Sequence, residues 1–181
     1  ENGMGSRHII WTSLALIATM ATADAASVKT TNFVVETARQ DDAEEFAKLA
    51  EHYRNLKAIE WLGKEMPPWR QPCRLRVVVT GNGAGGATTF DFNGQTVYQE
   101  MQIEGARERL KHSVLPHEVT HTVFAHHYRQ PVPRWADEGG SVYSEDDLER
   151  SRHDKLCKQI LNAGDGIQLK ALFRMKEYPR Q

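Results

Sequence analysis

The chain has 181 residues, enough for one domain with a core of its own. Hydrophobic residues make up 40% and charged residues 26%, which is the balance of a soluble globular fold. A net charge of −1 supplies no field for holding nucleic acid or an anionic membrane, so neither is expected as a partner.

Residues 9–23 read IIWTSLALIATMATA, an apolar run without a charge that follows Arg7 and His8. A membrane-spanning helix needs about 20 such residues. Ala23 and Ala25 stand as the small residues of an A-x-A cleavage site, so residues 1–25 read as a secretory signal peptide and the mature chain begins at Ala26. The alternative is an uncleaved membrane anchor. Export places the chain in an oxidising compartment, secreted or periplasmic. There, Cys73 and Cys157, the two cysteines, form either one disulfide or two buried thiols.

TTNFVVET (30–37) has the short β-rich alternation of a first strand. Phe46, Leu49, Tyr53, Leu56, Ile59 and Leu62 then recur at helical spacing, which predicts a long amphipathic helix from about 42 to 63, with Asp41 or Asp42 as its cap. After the Pro-rich MPPWRQP, CRLRVVVT (73–80) reads as a buried strand. ATTFDF (87–92) and QTVYQEMQIE form a hairpin about an Asn93-Gly94 turn. GARERLKHSVLPHEVTHTVFAHHY is helical, interrupted at Pro116, and RWADEGGSVYSEDDLERSRHDKLCKQILNAG continues as helix in one or two pieces. Strand, helix, strands and then helices make an α+β domain over 26–181.

Gly81, Gly83 and Gly86 spell G-x-G-x-x-G after a strand. A dinucleotide site needs a helix to open at that point, and β-forming ATTFDF follows instead, so these glycines read as a strand-to-strand loop.

His117-Glu118-Val119-Thr120-His121 is H-E-x-x-H. On a helix, positions i and i+4 share a face, so both imidazoles reach one ion while Glu118 stands beside it. The pentapeptide alone is also compatible with a solvated helix face whose histidines bind no metal. Three protein ligands and an open position define a catalytic zinc site. Glu138, 17 residues after His121, can be brought to the pair by a second helix beyond the Pro-rich 129–133 turn. Asp137 is its competitor, aimed about 100° away on that helix.

H-E-x-x-H followed by Trp135-x-x-Glu138-Gly139 resembles the gluzincin metallopeptidases, and PRWADEGGSVY (133–143) is similar to exported peptidase MA-like domains. The motif match covers 115–143, with weaker similarity back to GGATTF and forward to KEYP. The resemblance implies a zincin-like fold, a small mostly antiparallel sheet packed on an active-site helix pair. Its edge strand, placed at 85–91, would lie above the cleft, where an extended peptide adds by β-pairing. It implies zinc held by His117, His121 and Glu138, Glu118 as general base, and a peptide or protein substrate. The chain departs from the family twice. The family's domain continues beyond the point where EYPRQ ends this chain. Val142 also stands where thermolysin-like members carry an acid, so the carboxylate that orients a ligand histidine must come from Asp137 or Glu145. Tyr143, His126, His127 and His153 are candidate oxyanion donors by residue type alone, with Tyr143 read as packing and His126 and His127 as surface or cleft-rim residues. Trp135 anchors the Glu138 helix, and Gly139 and Gly140 admit close helix contact. The reading from another class is a noncatalytic cell-envelope protein that keeps zinc as a structural staple or binding pocket.

Overall fold

The computed structural model describes residues 25–93 and 97–175. Residues 1–24 of the segment expected to be a signal peptide, Gly94 of the expected turn and the KEYP stretch lie outside the described residues. Five strands, β1 (Ala26–Lys29), β2 (Phe33–Thr37), β3 (Cys73–Thr80), β4 (Ala84–Phe92) and β5 (Val97–Ala106), form one sheet in the order β1-β2-β3-β5-β4. The chain is α+β, but the sheet is mixed rather than mostly antiparallel: β1 and β2 pair antiparallel, as do β4 and β5, whereas β2–β3 and β3–β5 are parallel. Two crossovers cause this. The helix α1 (Gln40–Leu62) returns the chain to the same end of the sheet between β2 and β3. β4 then runs out along the edge, so that β5 comes back parallel to β3.

The strand expected at 30–37 starts only at Phe33, a further strand, β1, precedes it at Ala26–Lys29, and β4 begins at Ala84 rather than 87. β3 is half-buried, not buried. Cys73, Leu75 and Val77 point into the core, while Arg74 and Arg76 point out, the alternation of a sheet covered on one face. α1 has the expected span. Its buried stripe, however, is built from Ala43, Phe46, Ala47, Ala50 and Ala58, while Leu56 and Ile59 are exposed. No side chain caps its start: the cap position falls on Arg39, and Asp41 and Asp42 stand inside the first turn, Asp42 in an ion pair with Arg107. The small residues let α1 lie close against the sheet and against α3 (Leu115–Tyr128).

A short helix, α2 (Arg107–Arg109), runs into α3 through a wider π turn over Leu110–Val114. Pro116 explains the widening. It has no N–H and its ring would strike the carbonyl of residue 112 in a regular helix, so the turn opens and Leu115 N–H donates to Leu110 instead. Leu115, Val119 and Val123 then face the core at zero exposure, each contributing about 1.5–3 kcal/mol by burial. The opposite side of α3 is left for His117 and His121. α4 (Arg134–Tyr143), α5 (Asp147–Ala163) and α6 (Leu169–Leu172) complete the described chain, and α5 is almost wholly exposed apart from Glu149. No helix among the described residues is long and apolar enough to cross a membrane.

Cys73 lies in the core and Cys157 is exposed on α5, and both are free. This corrects both expectations, the disulfide and the pair of buried thiols. Burial pushes the Cys73 thiol up to about 12, which keeps it protonated and inert.

Candidate metal centre

α3 and α4 bring His117, His121 and Glu138 together, with one ligand atom of each inside a 4.8 Å span. Glu138 Oε2 lies 3.8 Å from His117 Nε2 and 3.9 Å from His121 Nε2. Its other oxygen faces Arg134 at 3.4 Å, so the carboxylate offers one oxygen to the imidazoles. The close approach of the two helices depends on Gly140. A Cβ there would sit 2.8 Å from the Phe124 ring, whereas one on Gly139 would meet nothing. Trp135 is 43% exposed against Phe173, so its anchoring contact is peripheral.

Both imidazoles are held from behind. His117 Nδ1 donates to Glu145 Oε1 at 2.7 Å, and His121 Nδ1 donates to Asp137 Oδ1 at 2.7 Å. A carboxylate only accepts, so each bond puts the proton on Nδ1 and leaves the Nε2 lone pair toward Glu138. The two carboxylates nominated from sequence therefore serve one histidine each. Burial opposes protonation of His121, but the Asp137 hydrogen bond and charge, with Glu118 and Glu138 beyond, raise its pKa.

Glu145 sits on the α4–α5 link, and its neighbours fix it there. Ser144 Oγ receives the Thr120 hydroxyl at 2.8 Å and donates to Gly140 O at 3.0 Å. Asp146 accepts from Ser113 at 2.6 Å and caps α5 by accepting from the amides of Leu148 and Glu149. Burial works against the Asp146 charge, yet these donors hold its pKa below the usual carboxylate value.

Glu118 is 5% exposed and lies under β4. Thr88 Oγ1 donates to Glu118 Oε2 at 2.6 Å. A Cβ on Gly86 would fall 2.6 Å from Glu118 Oε1, so only glycine lets the strand pass over the carboxylate. A cavity of about 330 Å³ opens in front of the trio, lined by Gly86–Thr88, Phe90, Glu118 and Arg134 among others. A second of about 280 Å³ lies on the other side of Glu118 and reaches Arg109 and His153.

The donors suit zinc: two neutral imidazole nitrogens and one carboxylate oxygen. A tetrahedral ion with ligands at about 2.0 Å sets them about 3.3 Å apart, so the 3.8 and 3.9 Å gaps close with small side-chain rotations. Among the sequence-nominated donors, Tyr143 packs on Trp61, His126 stacks on Trp69 and His127 packs on Tyr128, while His153 lines the second cavity, beyond Glu118, and meets Glu145 at 3.3 Å. His126 is therefore not at the rim of this cleft. Thr88, Gly86, Arg134 and Ser144 were not nominated. A glycine inside a β-forming stretch was the one readable signal for Gly86. No family model matches the chain, and no curated protein or solved structure matches it.

Proposed function

We propose that the chain is an exported zinc metallopeptidase of the gluzincin type. The observation that carries the reading is the pairing of each imidazole with its own carboxylate while both Nε2 atoms turn toward Glu138, at the wall of an open cleft. A histidine pair on a solvated face needs no such orientation. When bound, zinc polarises a carbonyl and lowers the pKa of a coordinated water to about 7. Glu118 takes the proton of the attacking water on Oε1, the oxygen that Thr88 does not engage, and delivers it to the leaving amine. His153 lines the second cavity, beyond Glu118, where its Nε2 meets Glu145. Among the described residues β4 pairs on one side only, with β5, so its outer edge is available to an extended peptide.

The open cavity favours the enzyme over a structural staple, which would close the coordination with a fourth protein ligand, and no fourth donor joins the trio among the described residues. Export rests on the apolar run and small-residue site of residues 9–25. Glu118→Gln is expected to keep about one zinc per chain and to lose hydrolysis of a mixed peptide library. A Glu118→Gln protein that cleaves at the parent rate refutes the mechanism.

A further inference from the structure

A further cavity, also of about 280 Å³, lies at the far end of α3, between its last turn and the Pro-rich connector. Met66, Pro67 and Pro68 form an apolar wall, and Trp69, His126 and Arg129 supply the polar atoms together with Arg70. No acidic residue lines it.

Three buried nitrogens here have no hydrogen-bond partner: Trp69 Nε1, His126 Nε2 and Arg54 Nε. Trp69 is 7% exposed and held firmly, its ring edge-on to Phe33 at 5.2 Å and stacked on His126 at 4.4 Å. A buried indole N–H left without an acceptor is costly, and so is a buried cation. Arg54 is 6% exposed, packs over Trp69 at 4.9 Å and donates to the carbonyls of Met66 and Pro67, with no carboxylate in ion-pair range among the described residues. The nearby acids are used elsewhere, Glu51 on Asn32 and Glu65 on Asn55. Arg129 adds strain. Its φ of 55° is left-handed, and it is the one non-glycine residue with positive φ among the described residues. Burial, with Arg54 and Arg129 nearby, lowers the His126 pKa to about 4.

We infer that this cavity is a binding site for a small oxyanion, a carboxylate or a phosphate, which accepts from Trp69 and is held by Arg70 and Arg129, with the Arg54 charge behind the Trp69 ring. The end of α3 carries about half a negative charge, which the Arg70 and Arg129 cations outweigh. The apolar wall suits the carbon tail of an organic acid. The site is separate from the metal centre, sharing only the helix that carries both.

The test follows the ¹⁵N–¹H indole signal of Trp69, assigned with Trp69→Phe, during titration with sodium acetate or inorganic phosphate at matched ionic strength. The expected result is a saturable shift at Trp69 in the millimolar range or tighter, while the Trp61 and Trp135 signals stay in place. Saturation by acetate alone identifies a carboxylate site and by phosphate alone a phosphate site. Arg129→Gly relieves the left-handed backbone while removing the guanidinium, so it is expected to melt no lower than the parent and to bind at least tenfold more weakly. A shift that never saturates, an equal shift at all the tryptophans, or parental affinity in Arg129→Gly overturns the inference.

Discussion

Gly86→Ala isolates the placement of the proposed base from the metal. The new Cβ would lie 2.6 Å from Glu118 Oε1, 2.8 Å from Cγ and 2.9 Å from Cδ. Carbon–oxygen and carbon–carbon contacts settle at about 3.5–4.0 Å, so the side chain must withdraw by about 1 Å. It cannot do so in place, because Glu118 is 5% exposed and its other oxygen is tied to Thr88 at 2.6 Å. Rotation breaks that bond, at about 1.5–3 kcal/mol for a charged acceptor, part of which the Thr88 hydroxyl regains from water. A misplacement of about 1 Å in a reacting group costs about 10²-fold in rate. The three atoms nearest the new Cβ all belong to Glu118, so zinc content should stay at the parental level. The assay pairs metal analysis with turnover on a peptide library and a thermal melt. Zinc retained, rate down about 10²-fold and a melting temperature lowered by a few degrees is the expected outcome. Parental turnover with alanine at 86 would show that the Glu118 position does not govern the chemistry.

Glu138→Ala should weaken zinc binding far more than Asp137→Ala, whose loss frees an imidazole and costs about 10–100-fold in affinity; equal effects in metal titrations would reject Glu138 as the ligand. His126, with its folded pKa near 4, is neutral in the fold and protonated more readily once unfolded, so its stability contribution is complete above about pH 6.5 and is lost as pH falls toward 4. The loss is about 2 kcal/mol once solvent screening is allowed for, and in urea unfolding the His126→Phe variant should lack that part of the slope, whereas an unchanged slope contradicts the assignment. Cys157 should react with a thiol reagent in the native protein while Cys73 reacts only on unfolding, and simultaneous modification would contradict their placement.

The sequence carried the local chemistry well. The residue types and spacing at 117–121 and 138 were enough to expect His117, His121 and Glu138 side by side, as they stand, and the β4 edge at 85–91 was placed over the cleft. Sheet direction was not legible, since β3 and β5 run parallel only because β4 takes the edge, a consequence of long-range pairing that alternation within a strand does not encode. The α1 stripe misled for a related reason. Large apolar residues at helical spacing mark a face, but tight packing on α3 chose the alanines and left Leu56 and Ile59 outside. Pro116 read as an interruption, yet the π turn absorbed it without breaking the helix. Glu145 and Asp137 could be nominated as alternatives but not divided between two histidines, because that depends on the rotation of α4 about α3.

Metal content measured on dialysed, zinc-loaded protein beside its His117→Ala/His121→Ala double variant tests the central claim most directly. The account predicts about one zinc per chain in the parent and none in the double variant. Zinc retained by the double variant, or a parent that binds none, contradicts it.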